Sequence, residues 1–135
     1  MASFRPITAE FAVSPQLALD DLAAARAQGF ELVINNRPDG EAPDQPDGSV
    51  IGAAARAQGL DYVHIPVIGR PTAEQAHDVV EAAHGRRTLA FCRSGTRSAM
   101  TWAMGEAASG RMSLEEVTRA AAGAGYDLGP ALGRR

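Results

Sequence analysis

The sequence predicts an α/β fold, a mainly parallel sheet with helices on both faces, and two observations predict it. Short apolar or β-branched runs alternate along the chain with Ala- and Leu-rich segments of helical period. The helical segments are bracketed by capping residues and glycines, and strands joined through helices in one sheet pair in parallel by right-handed crossovers.

Glu10 to Ser14 reads as a first strand closed by Pro15, and Leu19 to Gln28 as an amphipathic helix ended by Gly29. Glu31 to Asn35 carries Leu-Val-Ile, the run expected of a buried parallel strand. Arg37 to Gly48 holds three prolines, three aspartates and two glycines, and must be a loop. Leaving the C-terminal end of a central strand, it is placed to touch a ligand. Ser49 to Gln58 reads as a helix with Ser49 as N-cap and Gly59 as stop, followed by a strand from Asp61 to Val67 that Pro66 interrupts or ends. Thr72 and Gln75 have capping-box spacing and open a helix to about His84, with Val79, Val80 and Ala83 as its apolar face. Thr88 to Phe91 is a buried strand, and Ser98 to Ala108 the helix after it. Ser113 and Glu116 form a second capping box, starting a helix to about Ala122. Residues 124–135 are Gly-rich and read as a flexible tail. The endings Ala-Arg-Ala-Gln-Gly at 25–29 and 55–59 look like two helix ends of one type, not a repeat. No linker divides the chain, so residues 1–135 are expected to form a single catalytic domain.

Composition bounds the function. At 45% hydrophobic and 21% charged, 135 residues suffice for a sizeable core. A net charge of −3 gives no electrostatic reason to expect nucleic acid or an anionic membrane as partner, and no apolar run approaches the length of a membrane span. The start Met-Ala-Ser-Phe-Arg-Pro has no charged-then-apolar leader, and a single cysteine suits a reducing compartment, so a cytoplasmic location is expected. Oligomeric state is not readable.

That cysteine marks the site. Cys92 stands between a buried strand and a helix, within Cys92-Arg93-Ser94-Gly95-Thr96-Arg97-Ser98. Amides of a tight Gly-containing loop and the positive end of a helix dipole converge there, and with Arg93 and Arg97 they favour a thiolate and any anion bound beside it. The expected catalytic residues are Cys92 and Arg97, with Arg93, Ser94, Gly95, Thr96 and Ser98 as the anion-binding loop and Asn36, Arg37, Asp39 and His64 as accessories. His77 and His84 read as surface residues, and no Cys or carboxylate stands at metal-ligand spacing from any histidine, so neither metal nor cofactor is expected. Met100, Trp102 and Met104 read as helix packing.

The loop Cys-x-x-Gly-x-Arg-Ser resembles the active-site loop of rhodanese sulfurtransferases and, more loosely, the Cys-x5-Arg loop of cysteine phosphatases. Arg97 follows Cys92 after four intervening residues, one short of the phosphatase spacing. The wider pattern points elsewhere. Val33-Ile34-Asn35-Asn36-Arg37-Pro38-Asp39-Gly40-Glu41, then Tyr62-Val63-His64-Ile65-Pro66-Val67, then Cys92 to Ser98 resembles the phosphatase-like domain of beta-lactamase-hydrolase-like proteins, whose bacterial members are also labelled sulfurtransferases. The order of the first two motifs is similar to that of dual-specificity phosphatases. The resemblance implies a cysteine-phosphatase-like fold, with a rhodanese-like one as the alternative.

Chemistry ranks the reactions. A cysteine phosphatase needs a thiolate, an arginine fork on the phosphoryl oxygens and a general acid, in this resemblance an aspartate after the His-Ile-Pro-Val strand. Ile68-Gly69-Arg70-Pro71-Thr72-Ala73 contains none, which would leave Asp39, Asp44 or Asp47 from the earlier loop. Sulfur transfer needs no obligatory proton donor, and a short loop suits one sulfur atom better than a tetrahedral phosphate. The sequence therefore ranks a sulfurtransferase first, passing a sulfane sulfur through a Cys92 persulfide from a small-molecule donor to a thiol or cyanide. A phosphatase acting on a phosphorylated substrate through a Cys92 phosphocysteine comes second, and a non-catalytic sulfur carrier or thiol sensor third.

Overall fold

The computed structural model describes residues 2–132. Five strands form one sheet in the order β1-β2-β5-β3-β4: β1 (Arg5–Pro6), β2 (Phe11–Ser14), β3 (Leu32–Asn35), β4 (Asp61–His64) and β5 (Thr88–Phe91). Only β1 is antiparallel, pairing Arg5 with Val13 at the sheet edge. The other pairings are parallel and put Phe91 of β5 level with Ser14 of β2 and Asn35 of β3. The loops after β2, β3 and β5 thus leave the sheet side by side at its C-terminal end, where open α/β sheets bind ligands.

Side chains alternate along these strands and give the sheet two buried faces. Phe11, Val13, Leu32, Ile34 and Ala90 face one cluster, which α3 (Ala73–Ala83), α4 (Thr96–Ser109) and α5 (Leu114–Gly123) cover. Ala12, Val33, Leu89 and Phe91 face the other, beneath α1 (Leu19–Ala27) and α2 (Gly48–Ala57). Trp102 is core, its ring stacked on Phe11 at 5.8 Å between centroids.

Local signals explain most element ends. Thr72 and Ser113 accept N–H bonds from Gln75 and Glu116, and both capping boxes close. The paired Ala-Gln-Gly endings are two copies of one turn: Gly29 and Gly59 take φ of 89° and 82°, and the next residues, Phe30 and Leu60, donate back to Ala25 and Ala55. Helix α2 differs from expectation, since Asp47, not Ser49, is its N-cap and gives no side-chain cap bond. Strand β4 stops at His64, before Pro66. Helix α4 starts at Thr96, two residues before the expected Ser98, because Gly95 already makes the turn into it.

The expected flexible tail is packed at its start. Tyr126 and Leu128 are 6% and 1% exposed and belong to the core cluster of α3, α4 and α5. Residues 133–135 lie outside the described residues. No helix among the described residues is long and apolar enough to cross a membrane.

Candidate active site

Cys92 follows β5 directly, and its free thiol is buried. Gly95, φ 98°, ends the loop, and its N–H donates to the Cys92 sulfur at 3.1 Å. Glycine is required there because an L side chain resists that φ and an added Cβ would run into the Tyr126 hydroxyl. The first turn of α4 begins at the next residue, so the positive end of the helix lies next to the Cys92 loop, the Thr96 N–H being taken by the Ser94 hydroxyl at 3.4 Å.

Arg97 sits in that first turn. It lies beside the Cys92 thiol in spite of the short spacing, because the left-handed Gly95 starts the helix early. Its guanidinium meets Glu41 end-on, Nη1 to Oε2 and Nη2 to Oε1, both at 2.7 Å, and Nη1 also donates to the Val67 carbonyl at 2.8 Å. Three of the five N–H donors are thereby used. The side-on edge, Nε–H with the second Nη2–H, bonds no oxygen among the described residues, and the Cys92 thiol is a neighbour of this guanidinium. The hydrogen bond to Glu41 first, and the neighbouring Cys92 besides, raise the Arg97 pKa.

Glu41 is clamped by two arginines, since Arg37 Nε also donates to its Oε1 at 3.1 Å. Its pKa falls from 4.5 to about 2, chiefly through the Arg97 hydrogen bond and further through Arg37, with partial burial opposing. Near neutral pH Glu41 is an acceptor that fixes Arg97, not a proton donor.

The other expected residues divide by position. Arg37, 4% exposed, is a strut: Nη1 donates to Gln16 at 2.9 Å, its N–H to the Asn35 side chain at 2.9 Å, and its carbonyl meets His64 Nε2 at 2.8 Å. Asn36 ties the Cys92 loop to the sheet, accepting from the Ser98 hydroxyl at 2.7 Å and donating to the Ile65 carbonyl at 2.9 Å. Ser98 is therefore engaged with Asn36. Arg93, Ser94 and Thr96 are exposed on the rim, where the Ser94 hydroxyl bonds that of Thr96 at 3.1 Å. Asp39 accepts from the Gly48 N–H at 2.7 Å and holds the start of α2 instead of joining the loop. His77 and His84 are exposed. Among the described residues no three His, Cys, Asp or Glu converge as a metal site would require. Glu41, Gln16 and Tyr126 were not among the expected site residues, and each acts through partners distant in sequence.

The model of the beta-lactamase hydrolase-like protein, phosphatase-like domain, matches residues 3–109. The chain belongs to this family. A Xylella fastidiosa beta-lactamase hydrolase-like protein is 39% identical over 129 residues, which are 93% of this chain and 30% of that protein. The chain thus spans under a third of the length of that relative. A solved structure described as a putative phosphatase from Neisseria meningitidis Z2491 superposes with TM-score 0.78 at 30% identity, covering 92% of this chain and 89% of that one. Tk-PTP in the active form gives TM-score 0.66 at 25% identity, over 90% and 86%. The cysteine-phosphatase-like fold is thereby established for this member of the beta-lactamase hydrolase-like, phosphatase-like domain family. Sulfur transfer, ranked first on loop length, gives way to the phosphatase-like reading ranked second.

Proposed function

We propose that this domain hydrolyses phosphate monoesters through a Cys92 phosphocysteine. The observation that carries the reading is the Arg97 guanidinium, fixed by Glu41 in the neighbourhood of Cys92, with its side-on edge, Nε–H and one Nη2–H, bonded to no oxygen of the described residues. That edge matches two oxygens of a phosphoryl group, and a bidentate guanidinium is the usual fork for such an anion.

The Cys92 thiolate attacks phosphorus, the S–P bond forms as the P–O bond breaks, and the leaving oxygen departs with the electron pair. Loop amides and Arg97 hold the charge on the equatorial oxygens. Water then attacks phosphorus: a P–O bond forms as the S–P bond breaks, the electron pair returns to sulfur as the thiolate, and the water's protons stay on the released inorganic phosphate or pass to solvent. With Glu41 held ionised, Asp39 engaged by the Gly48 N–H, Asp44 and Asp47 exposed in the Arg37 to Gly48 loop and no acid in Ile68 to Pro71, the leaving group takes its proton from solvent. Esters whose leaving group is stable as an anion, such as aryl phosphates, are the preferred class.

Sulfur transfer keeps one observation in its favour, the four-residue spacing from Cys92 to Arg97. One experiment separates the two. Wild type and Cys92→Ser are assayed on an aryl phosphate and for thiosulfate-to-cyanide transfer. The proposal expects Cys92-dependent hydrolysis at ~1 per second or faster and little sulfur transfer. Sulfur transfer without phosphate hydrolysis would reverse the choice.

A further inference from the structure

We infer that Tyr126, beyond the residues the family match covers, is a positioning residue for the Cys92 loop. The C-terminus of α5 places it. Ala124 is the C-cap, Gly125 follows with φ 98°, and the bonds Gly125 N–H to Ala122 and Tyr126 N–H to Ala121 at 3.0 and 2.9 Å complete a Schellman turn. That turn folds the chain back onto the loop, so Tyr126 is buried with its ring beneath the Arg5 guanidinium, 5.5 Å from the centroid.

The hydroxyl reaches one particular peptide. Tyr126 Oη donates to the Ser94 carbonyl at 3.3 Å, and the N–H of that same peptide group, Gly95 N–H, donates to the Cys92 sulfur at 3.1 Å. A peptide is a rigid plane with its C=O and N–H opposed, so holding the carbonyl aims the N–H. The phenol is pushed up by burial and stays protonated as a donor. Its bond is long for O–H···O, as such bonds often are before a ligand binds, and charge on the sulfur pulls the whole chain tighter. Gly95 fits the same design, since only its bare Cα leaves room for the hydroxyl.

The role concerns the sulfur's reactivity, whichever group it attacks, so it can be tested apart from the proposed reaction. Cys92 is the chain's only cysteine, which makes iodoacetamide alkylation a specific readout. The groups bearing on the profile are Arg97 from α4, Glu41 through it, and Tyr126 with Arg5 facing its ring. Tyr126→Phe keeps the ring and removes the hydroxyl. We expect its alkylation profile to move to higher pH, and kcat/KM on an aryl phosphate to fall roughly 3- to 10-fold, the value of one neutral hydrogen bond, at near wild-type melting temperature. Tyr126→Leu should move the profile in the same direction. An unchanged profile in a folded Tyr126→Phe protein would overturn the assignment. If wild type hydrolyses no phosphate ester while the profile still moves, the phosphatase reading fails and the role of Tyr126 stands.

Discussion

At the scale of single residues, Glu41 joins the guanidiniums of Arg37 and Arg97, and Arg97 neighbours Cys92. Arg97→Lys keeps the charge but offers no fork, and Arg97→Ala removes both. Steady-state kinetics should give kcat/KM losses of roughly 10- to 1000-fold for Arg97→Ala, the worth of a lost charge-assisted contact, with Arg97→Lys closer to Ala than to wild type. Either variant at full activity would remove Arg97 from the site. Glu41 makes a prediction of opposite character, about stability. Its folded pKa of about 2 lies below the ordinary 4.5, so its contribution is present above that ordinary value and is lost as pH falls toward about 2. The gap in melting temperature between wild type and Glu41→Gln should be widest near neutral pH and close across that acid window. A gap independent of pH would mean that the clamp on Glu41 is absent in solution.

At the scale of elements, much of the architecture was readable because it is locally encoded: both capping boxes, the glycine stops and the four-residue strand Thr88–Phe91 stand where the sequence puts them. What was hidden depends on distant partners. Glu41 and Arg97 are 56 positions apart, and Tyr126 reaches Ser94 across 32, so no window of sequence contains either pair. The edge strand Arg5–Pro6 is two residues long and has no periodicity to read. Helix packing has the same character. Gly105 in α4 would gain about 1 kcal/mol from Ala by helix propensity alone. A Cβ there would lie 2.5 Å from the Ala76 carbonyl oxygen and from Val80 Cγ1, so α3 would have to move. Overpacking of this kind costs about 1–3 kcal/mol and should win. Urea unfolding of Gly105→Ala should therefore show net destabilisation, and a stabilised variant would mean a looser α3–α4 contact than described. The loop Ile68 to Pro71 predicts a substrate preference, since without an acid the rate must follow leaving-group stability. Aryl phosphates should outpace alkyl phosphates by about 100-fold or more in kcat/KM, and equal rates would point to a proton donor outside this loop.

At the scale of the whole molecule, the parallel order β2-β5-β3 brings three loops to one end of the sheet and leaves the Cys92 sulfur at their meeting point. A chain belonging to the family of the beta-lactamase hydrolase-like protein, phosphatase-like domain, carries there an arginine fixed by an ionised glutamate, although the loop has the short spacing that resembles a sulfurtransferase. Spacing misleads because it counts residues and ignores where the helix begins. With Gly95 left-handed, α4 starts early enough to set Arg97 beside the sulfur. In the proposed reaction Cys92 takes up phosphorus, not sulfur. The most direct measurement is the intact mass of the protein, acid-quenched during turnover of an aryl phosphate and, separately, after incubation with thiosulfate. The phosphocysteine should appear as an adduct of about 80 Da from the phosphate ester, on Cys92 and absent from Cys92→Ser, as a covalent phosphoryl intermediate requires. An adduct of roughly 32 Da from thiosulfate, reversed by cyanide, with none from the phosphate ester would contradict it.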